Sequence, residues 1–216
     1  MMADVQAVIF DMDGVIFDSE RICAMAWQGA APEFAMQDVE ASLRACTGMN
    51  RHDTGRYLLR VYGADFPVRS FLDRTSVLFR EYVAGHGLPL KPCVRETLEY
   101  LRRKGYVIAL ASSTRRALVV RQLRQAGLID YFATLTCGDE VLHSKPEPDI
   151  YVAACGSIAR AAGVCVAVED SPNGVLSAYR AGLLPVMVPD RIAPDSSVRA
   201  CLFRLCGSLM ELADFL

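Results

Sequence analysis

Apolar and polar positions fall into blocks along this chain, and the blocks change character twice. Ala7-Val8-Ile9-Phe10 is a continuous apolar run with β-branched and aromatic residues, which predicts a buried strand. It stops at Asp11 and Asp13, followed by Gly14. From about residue 18 to 85 strand-like runs vanish. Apolar residues there recur at helical spacing, as in Leu58, Leu59, Val61, Tyr62 and again in Phe71, Leu72, Leu78, Phe79, Tyr82. Gly48, Gly63 and Pro67 punctuate them. The pattern predicts a small all-helical insertion of about four helices, held by its own apolar faces.

Gly85 to Pro92 reads as a linker, and from Val94 the pattern becomes β/α alternation. A helix is expected at 94–104 before Gly105, a strand at 107–111, a helix to about Ala126 and a weaker strand at 132–136. A further helix is expected from Pro146, since proline suits the first helical position. A strand at 164–168, a helix at 172–181, a short strand at 185–188 and a closing helix at 205–215 complete the series. Such alternation predicts an α/β fold with a doubly wound, Rossmann-like parallel sheet. The expected domains are a core of 1–17 with 86–216 and a helical cap of 18–85.

Polar clusters follow these strands. Asp11 and Asp13 follow the first, Ser112-Ser113-Thr114 the second, and Glu169-Asp170-Ser171 the strand at 164–168, while Ser144-Lys145-Pro146 precedes a helix. In a parallel sheet, strand ends of one sense share one edge, where such folds bind ligands, so the four groups are expected in one crevice. Two carboxylates held together repel unless a cation or a shared proton intervenes. Asp11 and Asp13 therefore form a metal site, an acid/base site, or both; simple capping is the plainer alternative. Asp11, Asp13, Glu169 and Asp170 supply hard oxygen ligands without a histidine or cysteine cluster, which favours Mg²⁺. Hydroxyls and N–H groups around Ser112, Ser113 and Arg115 suit a phosphate, and Lys145 adds a point charge. Together they suggest phosphoryl transfer to an aspartate.

Composition narrows the function classes without naming one. Of 216 residues 52% are hydrophobic and 22% charged, and the formal net charge is −2, too mild to imply nucleic acid or an anionic membrane as partner. Eight cysteines are scattered without a CxxC pair, the usage of buried hydrophobes in a reducing compartment. No apolar run approaches membrane-spanning length, and no basic flank with a long apolar run opens the chain. A cytoplasmic protein is expected, a monomer or at most a weak dimer. His52, His86 and His143 are isolated and read as surface residues, and Trp27 as packing among the insertion's helices.

Four segments resemble a known family. Asp11-Met12-Asp13-Gly14-Val15-Ile16-Phe17-Asp18-Ser19-Glu20, Ala111-Ser112-Ser113, Ser144-Lys145-Pro146-Glu147-Pro148-Asp149 and Val168-Glu169-Asp170-Ser171-Pro172-Asn173-Gly174 are similar to the motifs of the haloacid dehalogenase superfamily. They look most like its β-phosphoglucomutase and small-phosphatase branch, whose helical cap the insertion resembles. The resemblance implies Asp11 as nucleophile, Asp13 as general acid/base, and Ser112 with Lys145 as holders of the transferring phosphoryl group. It places Mg²⁺ between Asp11, the Asp13 carbonyl, Glu169 and Asp170. Gly48-Met49-Asn50-Arg51 is similar to a cap segment whose arginine binds a substrate's second phosphate, making Arg51 a candidate contact; a solvated helix-start arginine is the alternative. Two departures stand out. Cys23 occupies the place of a histidine found in the mutases, which favours hydrolysis, and Cys93 that of a linker glycine.

The expected activity is a Mg²⁺-dependent phosphatase for a small phosphorylated metabolite such as a sugar phosphate. The alternative is a β-phosphoglucomutase-like mutase using the same aspartyl-phosphate. Asp13 argues against a metal-free dehalogenase. A signalling receiver ranks last, because receivers carry the acceptor aspartate in mid-chain.

Overall fold

A computed structural model describes residues 4–47, 49 and 51–216 of the chain, so Gly48 and Asn50 of the Arg51 segment lie outside the described residues. Strand β1 (Ala7–Phe10) has no exposed surface at any of its four positions, because strands flank it and its two faces pack into separate apolar clusters. It runs parallel to β2 (Val107–Ser112) and to β4 (Cys165–Glu169), with Ala7 opposite Val107 on one side and Cys165 on the other. Adding β3 (Thr134–Cys137), β5 (Leu184–Met187) and β6 (Arg204–Leu205) gives an all-parallel sheet of order β3-β2-β1-β4-β5-β6. Helices on both faces make continuous apolar strands the stable choice. Chain order reverses beside β1, so the carboxyl ends of β1, β2 and β4 border the crevice where such sheets bind ligands.

Between β1 and β2 come α1 (Ser19–Ala30), a 3₁₀ turn (Ala31–Phe34), α2 (Val39–Cys46), α3 (Arg51–Tyr62), α4 (Val68–His86) and α5 (Val94–Lys104). Helices α1–α4 close on a core of their own. Phe71 is its hub, with ring centroids 5.0 Å from Trp27, 5.4 Å from Phe34 and 5.8 Å from Phe66. Trp27 is thus the packing residue expected of it, and all three histidines lie on exposed surface. The two chain crossings into this unit lie side by side. Phe17 forms an antiparallel bridge with Leu90, the Asp18 amide donates to the Pro89 carbonyl at 2.9 Å, and the Lys91 amide donates to that of Ile16 at 2.9 Å.

The remaining helices are α6 (Arg116–Gln125), α7 (Asp149–Ser157), α8 (Pro172–Arg180) and α9 (Ser196–Arg199). Three expectations change. Helix α4 continues through His86, so the linker begins at Gly87 (φ +75°) and not at Gly85. Helix α7 starts at Asp149 and not Pro146, because Glu147 precedes Pro148 and is thereby steered out of helical dihedrals. The closing segment is not one helix: β6 and a 3₁₀ stretch (Leu209–Asp214) share it, separated by Gly207. Cys93, standing where a glycine is usual, takes the left-handed φ of +63° just before α5. No helix among the described residues is long and apolar enough to cross a membrane.

Candidate active site

At the carboxyl ends of β1, β2 and β4 the apolar sheet gives way to charge. Asp11 leaves β1 with its amide donating to the Val168 carbonyl at 2.9 Å, which fixes it beside Glu169 and Asp170. Lys145 arrives from the loop before α7. Its Nζ donates to Asp11 Oδ1 at 2.5 Å, to Glu169 Oε1 at 2.6 Å and to the Ala111 carbonyl at 3.3 Å. All four of these ionisable side chains are buried. Burial opposes the Lys145 charge, but Asp11 and Glu169 outweigh it and hold the ammonium above its ordinary range. Burial pushes the Asp11 carboxyl up to about 8; Lys145 pulls against that shift, while Glu169 and Asp13 add to it. Asp170 is also driven well above the carboxylate range, by burial and then by Asp11 and Glu169.

Asp13 sits differently. It is half-buried, and hydroxyls occupy both its oxygens: Ser19 Oγ donates to Oδ1 at 2.7 Å and Thr114 Oγ1 to Oδ2 at 2.8 Å. One donor opens the helical insertion and the other follows β2, so Asp13 is tied to both units. Two glycines make the crowding possible. A Cβ on Gly14 (φ +82°) would lie 2.1 Å from Asp170 Oδ2, and one on Gly174 would lie 1.9 Å from Glu169 Oε2.

Oxygens of Asp11, Glu169 and Asp170 lie within 4.8 Å of one another. Three hard oxygen donors without a thiolate or imidazole fit a small divalent cation, and Glu169 Oε2 is buried without a hydrogen-bond partner. Such a cation would keep all three carboxylates ionised. The Asp13 carboxylate stands outside that cluster, being taken by the two hydroxyls.

A cavity of about 1410 Å³ opens over these groups, lined on the sheet side by Asp11, Asp13, Ser113, Thr114, Lys145 and Asp170. Ser112 lies beneath it, fully buried, its Oγ accepting from the Thr114 amide at 3.1 Å. That bond shapes the turn that presents Ser113 and Thr114. Arg51 lines the opposite wall, from α3. It pairs there with Asp73 at 2.5 Å and donates to the Leu72 carbonyl at 3.2 Å, so it is an anchored surface arginine facing the cavity. The sheet-side residues singled out from sequence thus converge, and Arg51 faces them from the helices. Thr114 belongs to the polar group expected in the crevice, while Ser19 and Tyr151, whose hydroxyl donates to Glu169 Oε1 at 2.6 Å, are additions from the structure. The hydroxyl run 112–114 signalled Thr114, whereas nothing local marked Tyr151.

Residues 5–182 match the family of haloacid dehalogenase-like hydrolases. The chain belongs to that family. It is 31% identical over 178 residues to the phosphorylated carbohydrates phosphatase of Thermotoga maritima, covering 82% of each chain. Hexitol phosphatase B of Escherichia coli is 29% identical over 203 residues, covering 88% of this chain and 85% of the relative. Among solved structures, CbbY from Rhodobacter sphaeroides in complex with phosphate superposes with a TM-score of 0.76 at 25% identity, covering 98% of this chain and 96% of that one. Membership in this hydrolase family agrees with the motifs and with the sheet order.

Proposed function

We propose that this protein is a Mg²⁺-dependent phosphatase for a small phosphorylated metabolite such as a sugar phosphate, working through an aspartyl-phosphate on Asp11. The observation that carries the reading is the contrast between two aspartates one residue apart. Asp11 is buried against Lys145 and the acidic cluster, while Asp13 is offset and held by hydroxyls at the junction of the two units. One environment suits a nucleophile, the other a group that exchanges protons with substrate and water.

Asp11, Glu169 and Asp170 would hold the Mg²⁺, with the Asp13 carbonyl as the further ligand the family resemblance implies. When bound, Mg²⁺ supplies positive charge against the phosphoryl oxygens and keeps the carboxylates ionised. Lys145 and the 112–114 loop orient the phosphoryl group, and a carboxylate oxygen of Asp11 attacks phosphorus while Lys145 holds the side chain in place. As the P–O bond to the leaving group breaks, Asp13 gives its proton to the departing oxygen. Asp13 then takes a proton from water as that water attacks the aspartyl-phosphate, releasing phosphate and restoring Asp11. Helices α1–α4 act as the cap over the cavity, excluding bulk water and meeting the leaving group. Cys23 also lines the cavity, and burial pushes its thiol pKa up, so it stays a neutral contact at the mutase histidine's position. The names of the Thermotoga maritima and Escherichia coli relatives support a phosphorylated carbohydrate or polyol.

The test is phosphate release across a panel of phosphorylated metabolites, with glucose 1-phosphate isomerisation scored in parallel. Release from at least one sugar phosphate, abolished by EDTA and restored by Mg²⁺ but not Ca²⁺, is the expected outcome. Isomerised product without free phosphate would make it a mutase, and full activity in metal-free protein would overturn the mechanism.

A further inference from the structure

Tyr151 lies beneath the carboxylate cluster with no exposed surface, and it touches both charged partners there. Its hydroxyl donates to Glu169 Oε1 at 2.6 Å, and Lys145 Nζ lies 5.3 Å from the centroid of its ring. Glu169 therefore carries two donors on one oxygen, Lys145 Nζ and Tyr151 OH, each at 2.6 Å, while its buried Oε2 receives none. The terminal torsion of a glutamate is broad, so nothing intrinsic fixes the plane in which the carboxylate lies. Rotating it out of its present plane would stretch two buried charge-assisted bonds at once. Of the two donors, Lys145 is shared with Asp11 and the Ala111 carbonyl and is also the group a phosphoryl oxygen would draw on. Tyr151 has no such competing duty.

We propose that Tyr151 is a positioning residue: its hydroxyl pins one oxygen of Glu169 and so fixes the carboxylate plane that offers the other to the divalent cation. This rests on the reading of Asp11, Glu169 and Asp170 as the cation site. Outer partners of metal-binding carboxylates commonly govern affinity by about 10- to 100-fold. Tyr151→Phe isolates the hydroxyl, because the ring, its packing and its contact with Lys145 all remain.

The experiment titrates metal-free wild type, Tyr151→Phe and Glu169→Gln with Mn²⁺, following the free-ion paramagnetic resonance signal, and records each variant's Tm without metal. Expected is one saturable site in wild type, largely lost in Glu169→Gln and weakened about 10-fold in Tyr151→Phe at a similar Tm. Turnover of Tyr151→Phe at low Mg²⁺ should then recover as Mg²⁺ is raised, which damaged packing would not do. Wild-type Mn²⁺ affinity in Tyr151→Phe, or a turnover loss that Mg²⁺ does not repair, overturns the role of Tyr151 alone. Mn²⁺ binding indifferent to Glu169→Gln overturns the cation site, and this proposal with it.

Discussion

The α/β layer and the helical insertion bury opposite kinds of side chain. Beneath the sheet edge lie Asp11, Lys145, Glu169 and Asp170, the only buried charged residues among those described, whereas α1–α4 close over Trp27, Leu58, Phe71 and Leu72. Burying charge costs several kcal/mol per ion unless each finds a partner, so such a cluster contributes little to stability. It survives where chemistry needs it, and the apolar sheet around it supplies the folding energy. The insertion buries no charged side chain fully among the described residues, though Glu20 on α1 is half-buried. Its Arg51–Asp73 pair is half-exposed on both sides and contributes at most about 1 kcal/mol, so separating the two costs little. Charge buried in the α/β layer and charge on the helical surface thus sit on different physical footings.

The largest effect should come from breaking the charged side of this contrast. Asp11→Asn is expected to lower phosphate release from an aryl phosphate by about 10⁴-fold or more while the far-UV spectrum and cooperative unfolding persist. Activity within a few-fold of wild type would remove Asp11 from the nucleophile's place. A smaller effect should follow from the exposed side. Arg51→Ala should lower kcat/KM about 10-fold on a bisphosphate or acidic sugar phosphate, spare a small aryl phosphate, and change stability by no more than about 0.5 kcal/mol. Equal losses on both substrates would assign Arg51 to the fold, and no loss on either would return it to solvent.

The smallest effect concerns Glu20, on α1 facing the cavity between the two regions. Burial, then Asp13 and Asp190, push its carboxyl from 4.5 up to about 7, with Arg191 opposing. The folded state therefore holds a proton that the unfolded chain has released between those values, and stability contributed by neutral Glu20 is lost as pH rises through about 7. Relative to wild type, Glu20→Gln should gain Tm as pH is raised across that window and gain little below it. A Tm difference that does not change with pH would show that the carboxyl does not titrate there.

Much of this was legible because local signals agreed with the global fold. Helix α5 ends where Gly105 can take a φ of +84°, and β1 is apolar because both its faces are packed, Val8 and Phe10 on one side and Ala7 and Ile9 on the other. The polar groups after β1, β2 and β4 were readable as one crevice because a parallel sheet allows little else. Other features had no local mark. Strand β6 is two exposed residues, too short for any alternation, and the Pro146 signal lost to the steric effect of Pro148 on Glu147. Tyr151 reads as an ordinary apolar helix position until Glu169 is placed above it.

The paired crossings at Phe17 and Leu90 have a consequence for how such a protein diversifies. Entry and exit run together in one short ribbon, bonded between Asp18 and Pro89 and between Ile16 and Lys91. The main chain joins what lies beyond to the sheet only through this ribbon, with side-chain bridges such as Arg191 to Glu40 at 2.6 Å added to it, so the sheet needs its two ends to return side by side. Lengthening such a segment adds little closure entropy, and adjacent ends are where exchange of whole segments is best tolerated. The ribbon therefore lets the segment after Ser19, whose hydroxyl holds Asp13, be lengthened or exchanged while the sheet edge stays in place.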